Sequence, residues 1–205
     1  MDYRWLLDTE GSAAVQQLGL CHIRMGDYEQ ARQHYQTAAS LAPDRAEPHV
    51  GLGVIYLLEG HLGQAEAAFR FACQLDPTCS QAYAGLAVVQ QQKGMPKAAF
   101  DLYLKSLQLD CDNLLALLGL FQTSCQMGSF AKIIHYLELY LQSHPQDSSV
   151  MFCLAALYVK DGRIKEARAL LNELICLDPT NEDAANLLEE IDNSLSQRPV
   201  HSPAG

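Results

Sequence analysis

Five glycines recur at a fixed spacing of 34 residues, and this spacing constrains the fold more than any other feature of the chain. A constant period of this length predicts one structural unit copied along a solenoid. Glycine adopts positive φ at little cost, so a glycine at a shared position favours a point where one helix ends and the chain reverses. The glycines are Gly26, Gly60, Gly94, Gly128 and Gly162.

Two further positions repeat together with these glycines. A small residue five positions after the glycine lets two helices of a hairpin pack closely. A proline further along ends the second helix, because proline lacks a backbone N–H and crowds the preceding turn. The small residues are Ala31, Ala65, Ala99 and Ala167, and the prolines are Pro43, Pro77, Pro145 and Pro179.

This combined pattern resembles the tetratricopeptide repeat (TPR). The resemblance covers residues 12–181 and implies an all-α, right-handed superhelical solenoid of antiparallel helix hairpins. Its five repeats are 12–45, 46–79, 80–113, 114–147 and 148–181. The first helices are expected near 12–25, 46–59, 80–93, 114–127 and 148–161, and the second helices near 28–41, 62–75, 96–109, 130–143 and 164–177. Repeat four carries Phe121 and Ile133 where small residues are expected, which predicts a wider or locally re-packed hairpin.

The flanks of the repeats are predicted from their apolar pattern. Residues 182–196 form an amphipathic helix, and a helix of this kind is expected to cap the solenoid. Its apolar stripe is Leu187, Leu188, Ile191 and Leu195. Residues 197–205 show no pattern and are predicted to be a disordered tail. Residues 1–11 are either the remnant of a half-repeat, since Trp5–Thr9 aligns with the ends of later second helices, or a chance apolar turn.

The charge, the apolar stretches and the cysteines of the sequence disfavour several classes of partner and location. The formal net charge is −10 with only 14 Lys and Arg residues, which disfavours nucleic acid and anionic membrane surfaces. The sequence shows neither a secretory signal nor an uninterrupted apolar stretch that would span a membrane. Seven cysteines without a CxxC pair favour reduced thiols and a cytoplasmic location.

Residue patterns that support catalysis are missing from the sequence. No two histidines stand four apart on a predicted helix, and no His-Glu-x-x-His motif or cysteine-rich ligand spacing occurs. There is no glycine-rich phosphate loop either. We therefore predict no catalytic residues, no metal site, no cofactor and no enzymatic activity.

The TPR resemblance implies that the second, fifth, sixth, ninth, twelfth and thirteenth residues of each repeat line a concave groove. Family members that bind a chaperone's C-terminal carboxylate place Lys, Arg and Asn there, and no frame of this sequence supplies such cations. The groove is instead apolar and amide-bearing, which predicts an apolar protein segment, extended or helical, as its partner. The predicted groove residues are Leu20, Val50, Gly51, Val54, Leu57, Leu58, Ala84, Gly85, Val88, Gln91, Leu115, Leu118, Gly119, Gln122, Phe152 and Cys153.

Three glycines share one groove position, namely Gly51, Gly85 and Gly119. Glycine costs about 1 kcal/mol relative to alanine within a helix, so something must offset that cost. One interpretation is a smooth channel for a partner backbone, and the other is close packing between neighbouring repeats. The function is predicted to be that of a protein-binding scaffold or adaptor. The alternatives are an assembly subunit that forms homo-oligomers or anchors a complex, and an accessory chain of an enzyme.

Overall fold

The computed structural model describes the backbone of residues 4–196 and the side chains of residues 11–194. Within residues 4–196 the regular secondary structure is entirely α-helical, which confirms the predicted all-α fold class. The helices are α1 (Arg4–Met25), α2 (Tyr28–Leu41), α3 (Glu47–Leu58), α4 (Leu62–Leu75), α5 (Ser80–Gln92), α6 (Pro96–Leu109), α7 (Leu114–Met127), α8 (Ala131–Ser143), α9 (Ser148–Lys160), α10 (Ile164–Leu177) and α11 (Glu182–Ser196).

The N-terminal helix differs from the sequence prediction. Helix α1 begins at Arg4 rather than near residue 12, and it runs without a break through Trp5–Thr9. This segment therefore does not end as the second helices of the repeats do. The physical reason is that residues 4–11 contain no proline, and the one glycine of this segment, Gly11, lowers helix stability by only about 1 kcal/mol.

The turn glycines adopt the conformation expected of them. All five have positive φ, between 66° and 79°. At Gly60 the backbone N–H donates to Leu57 O at 3.0 Å, and the next N–H, of His61, donates to Tyr56 O at 2.8 Å. These bonds satisfy carbonyl groups that the end of α3 would otherwise leave without a partner. A Cβ at any of the five positions would meet no atom within 4 Å, so glycine is required by conformation and not by space.

The chain divides into two compact units, residues 1–127 and 128–205. In the first unit each second helix packs against its own first helix and against the next first helix, and the first helices α1, α3, α5 and α7 contact one another in order. In the second unit α9 contacts α8 and α10, and α10 contacts α11. The division falls between α7 and α8, inside repeat four, where Phe121 and Ile133 depart from the repeat pattern.

Helix α11 covers the segment predicted to be a cap. Ile191 of the predicted apolar stripe is buried, Leu187 and Leu188 of the stripe are half-buried, and Ala184 on the same helix is also buried. Asp192 Oδ1 lies 3.1 Å from the Nε atom of Arg168 on α10. The side chain of Leu195 and the predicted tail at residues 197–205 lie outside the described residues.

Candidate functional site

The predicted groove residues of the first compact unit lie on its four first helices. The helices α1, α3, α5 and α7 contact one another in sequence order, so the predicted residues of neighbouring repeats lie on neighbouring helices. Four leucines remain exposed at these positions, with fractional exposures of 38% for Leu20, 51% for Leu58, 52% for Leu115 and 57% for Leu118. The half-buried members are Val50, Val54, Leu57, Val88 and Gln91, and Gln122 is exposed.

A chain of hydrogen bonds joins two of the predicted residues directly. The Tyr103 hydroxyl donates to Gln91 Oε1 at 2.7 Å, and Gln91 Nε2 donates to Gln122 Oε1 at 3.1 Å. The chain of bonds connects α6, α5 and α7. Burial raises the pKa of Tyr103 to about 12, so its hydroxyl remains a donor at neutral pH. Gln122 lies at the exposed end and presents an amide nitrogen to groups that approach from solvent.

Four of the predicted groove residues are buried and cannot contact a partner. Ala84, Gly51, Gly85 and Gly119 are all buried, so their assignment to the groove is wrong. The reason is that each of the three glycines faces an aromatic ring of the preceding repeat.

The aromatic rings occupy the space where a side chain would begin. A Cβ built on Gly51 would lie well inside 3.0 Å of the Tyr35 ring. Gly85 has the same relation to Phe69, and Gly119 to Tyr103. The channel interpretation is therefore wrong, and close packing between neighbouring repeats is correct.

A signal in the sequence could have identified this packing. The residue 16 positions before each of the three glycines is aromatic, namely Tyr35, Phe69 and Tyr103. Where leucine stands at the equivalent position, as at Leu137, the residue 16 positions later is Cys153 instead of glycine. A bulky ring in a second helix thus pairs with glycine in the next first helix, because the two share one space.

Phe152 and Cys153 belong to the second compact unit, whereas the other predicted groove residues belong to the first. Both are half-buried on α9, in the second compact unit. We therefore define the groove surface as the exposed and half-buried members on the first unit alone. These are Leu20, Val50, Val54, Leu57, Leu58, Val88, Gln91, Leu115, Leu118 and Gln122.

The described residues offer neither a metal-binding cluster nor a membrane-spanning helix. Among residues 11–194, no group of three or more His, Cys, Asp or Glu side chains is arranged to hold a metal ion. None of the helices within residues 4–196 is both long and apolar enough to cross a bilayer.

Comparisons with known proteins agree with the repeat architecture. Two family models of the tetratricopeptide repeat match residues 11–78 and 126–191. A sequence comparison with curated proteins finds no significant match.

Several solved structures are similar to the fold of this chain. A structure from a functional characterisation of Pseudomonas aeruginosa pilF is 22% identical, with a TM-score of 0.71, over 93% of this chain and 87% of that one. YrrB, described as a TPR protein with an unusual peptide-binding site, is 15% identical, with a TM-score of 0.60, over 85% of this chain and 90% of the YrrB chain. The APC/C hetero-tetramer Cut9-Hcn1 gives 20% identity and a TM-score of 0.63, over 88% of this chain and 36% of the matched chain. Together with the two family models and the helix hairpins, these likenesses show that the chain belongs to the tetratricopeptide repeat family.

Proposed function

We propose that this chain is a non-enzymatic scaffold or adaptor that binds an apolar protein segment on the groove surface. The observation that carries the proposal is the set of four exposed leucines at predicted groove positions of three first helices, Leu20 on α1, Leu58 on α3, and Leu115 and Leu118 on α7. Burying one such side chain contributes about 1.5–3 kcal/mol, so a partner that covers several of them gains substantial binding free energy. Single exposed leucines are ordinary on protein surfaces, whereas these four share the groove positions of one repeat array.

The chemistry of the groove surface indicates a neutral partner segment. None of its ten residues carries a charge, so the surface offers no ion pair to a partner's carboxylate or ammonium group. Its polar members are Gln91 and Gln122, which are held together by a hydrogen bond. An exposed amide both donates and accepts, and it therefore suits the peptide groups of an extended segment or the polar side chains flanking a helical one.

The names of the structural neighbours support the same class of role. YrrB is described with a peptide-binding site, and Cut9-Hcn1 is a hetero-tetramer. For this chain, a peptide-binding scaffold is the first proposal and a subunit of a larger assembly is the second. Light scattering of the purified chain separates the two, because a stable homo-oligomer favours the second.

We further propose a cytoplasmic location. Its basis is the odd number of cysteines and the absence of a CxxC pair in the sequence. Fluorescence microscopy of the tagged chain tests this proposal.

The first prediction concerns two leucines of the groove surface. Leu58→Glu and Leu118→Glu will each weaken partner binding about tenfold or more, because each removes an apolar contact and places a charge against an apolar segment. Both side chains are more than half exposed, so helical content and melting temperature will stay close to those of the wild type. The measurement is affinity capture from native lysate with quantitative mass spectrometry, combined with circular dichroism.

Matched controls use leucines of somewhat lower exposure, 40% for Leu41 and 46% for Leu177, that lie on second helices. Leu41→Glu on α2 and Leu177→Glu on α10 will leave the captured set unchanged. Val54→Asp is not a clean test, because Val54 packs against the buried cluster that contains Phe69. Undiminished capture by folded Leu58→Glu and Leu118→Glu variants would contradict the proposed role of the groove surface.

A further inference from the structure

A cavity of about 270 Å³ lies in the second compact unit, between α8, α9 and α10. Its apolar walls come from all three helices and include Leu141, Met151, Leu154 and Leu170. The cavity also has carboxylates in its lining, Glu138 and Glu173, and it shares no residue with the groove surface. Pockets for small-molecule ligands are usually about 300–1,000 Å³, so this cavity matches one or two side chains better than a cofactor.

In repeats two and three of the first compact unit, the residues at two equivalent lining positions contact each other. Met151 and Glu173 are the fourth and twenty-sixth residues of repeat five. In repeat two these positions are His49 and Phe71, whose rings meet edge to face with centroids 4.6 Å apart. In repeat three they are Tyr83 and Lys105, where the Lys105 ammonium lies 6.0 Å from the centroid of the Tyr83 ring.

In repeat five the two positions are occupied by Met151 and Glu173. Met151 is 1% exposed and forms part of the floor, whereas Glu173, charged where Phe71 of repeat two is apolar, is exposed. A carboxylate is not buried on an apolar floor without a partner, because removing its hydration is too costly. Glu173 therefore cannot cover the floor as Phe71 covers His49, and the space stays open.

The two carboxylates of the cavity differ in their partners. Glu138 Oε1 accepts hydrogen bonds from the Tyr158 hydroxyl at 2.7 Å and from Arg163 Nη1 at 3.2 Å. The Arg163 guanidinium also lies over the Tyr158 ring, 4.2 Å from its centroid. The contacts of the described side chains assign no cation to Glu173, which leaves its negative charge for an incoming group.

We propose that this cavity binds a protein segment that inserts a phenylalanine or leucine side chain and pairs an adjacent arginine or lysine with Glu173. The apolar part of this ligand corresponds to Phe71 of repeat two, and its cation corresponds to Lys105 of repeat three. The chain's net charge of −10 favours the approach of a cationic segment. The cavity shares no residue with the groove surface, so an experiment can reject one of the two proposed binding sites without rejecting the other.

The second prediction tests this site with two short peptides. The methyl group of Met151 is labelled with ¹³C together with the other methionines, and the chain is titrated with acetyl-Phe-Arg-amide and with acetyl-Phe-Glu-amide. We expect a saturable shift of the Met151 resonance and tighter binding of the arginine peptide. Met25, Met95 and Met127 do not line the cavity and serve as internal references.

Variants at Glu173 separate the apolar contribution to peptide binding from the electrostatic one. Glu173→Gln will weaken the arginine peptide about two- to fivefold, the range of an exposed ion pair, and will abolish its preference over the glutamate peptide. Glu173→Phe, which restores the residue of repeat two, will fill the cavity and remove the Met151 shift. The matched control is Glu190→Gln, an exposed glutamate on α11, which will change neither.

Three results would overturn the proposal. One is a Met151 resonance that does not move at the solubility limit of the arginine peptide. Another is equal affinity for the two peptides in the wild type. The third is unaltered binding by a folded Glu173→Phe variant. If that variant does not fold, the Glu173→Gln titration decides, since a preference for arginine that survives this change excludes Glu173 as the recognising group.

Discussion

Alanine at positions 51, 85 and 119 together will lower the free energy of unfolding by about 3–6 kcal/mol. Each new methyl group overlaps a buried aromatic ring, and overpacking of this kind costs about 2–3 kcal/mol per site. Alanine recovers about 1 kcal/mol of helix propensity at each site, which leaves a net loss of about 1–2 kcal/mol. Urea unfolding followed by circular dichroism measures the change.

The matched control is Gly63→Ala, also a glycine within a helix. Its Cβ would meet nothing within 4 Å, so this variant will be up to about 1 kcal/mol more stable. A stability of the triple variant equal to or above that of the wild type would show that the rings adjust freely and that close packing does not require glycine.

A double variant tests the pairing of Gly85 with Phe69 directly. Phe69→Leu shortens the side chain that occupies the space next to Gly85, as Leu137 does before Cys153. Gly85→Ala combined with Phe69→Leu will therefore be less destabilised than the sum of the single variants. Strict additivity would indicate that the two residues do not share one space.

Deletion of α11, by ending the chain at Asn181, will lower stability by about 3–6 kcal/mol and promote aggregation. The deletion removes the buried Ile191 and the half-buried Leu187 and Leu188, each worth up to about 1.5–3 kcal/mol. It also exposes the face of α10 that α11 contacts. Thermal unfolding and light scattering measure the two effects.

Point variants distinguish loss of packing from loss of chain length. Ile191→Ala alone will cost about 2–5 kcal/mol, whereas Leu177→Ala, at a side chain that is 46% exposed, will cost much less. Removal of residues 197–205 alone will change stability little. A monomeric and equally stable chain ending at Asn181 would contradict the predicted capping role of α11.

Helix positions could be predicted from the sequence because local chemistry decides them. Glycine at positive φ ends the first helix of each repeat, and α2, α4, α6, α7, α10 and α11 match their predicted bounds. The predicted start of α1 near residue 12 was wrong for a local reason as well. No proline or turn glycine separates residues 4–11 from the first repeat, so the helix continues through them.

The groove surface was predictable only in part. A repeat position specifies which side of a helix a residue occupies. At the predicted positions Leu58 and Leu118 are exposed and Gln91 donates a hydrogen bond to Gln122, and their role in binding a partner stays a prediction. The repeat position alone could not show that Ala84 and Gly85 are buried. Whether a position is open depends on the neighbouring helix.

The sequence by itself determined the helical repeats and most of the helix bounds, because these depend on residue type and spacing along one chain. The tertiary structure decided what the glycines do and where a cavity remains. The ring of Phe69 from the preceding repeat occupies the space next to Gly85, and the cavity is lined by Met151 and Glu173 among others. Both depend on how much space is left between side chains of neighbouring helices, and the repeat pattern of one helix does not specify that space.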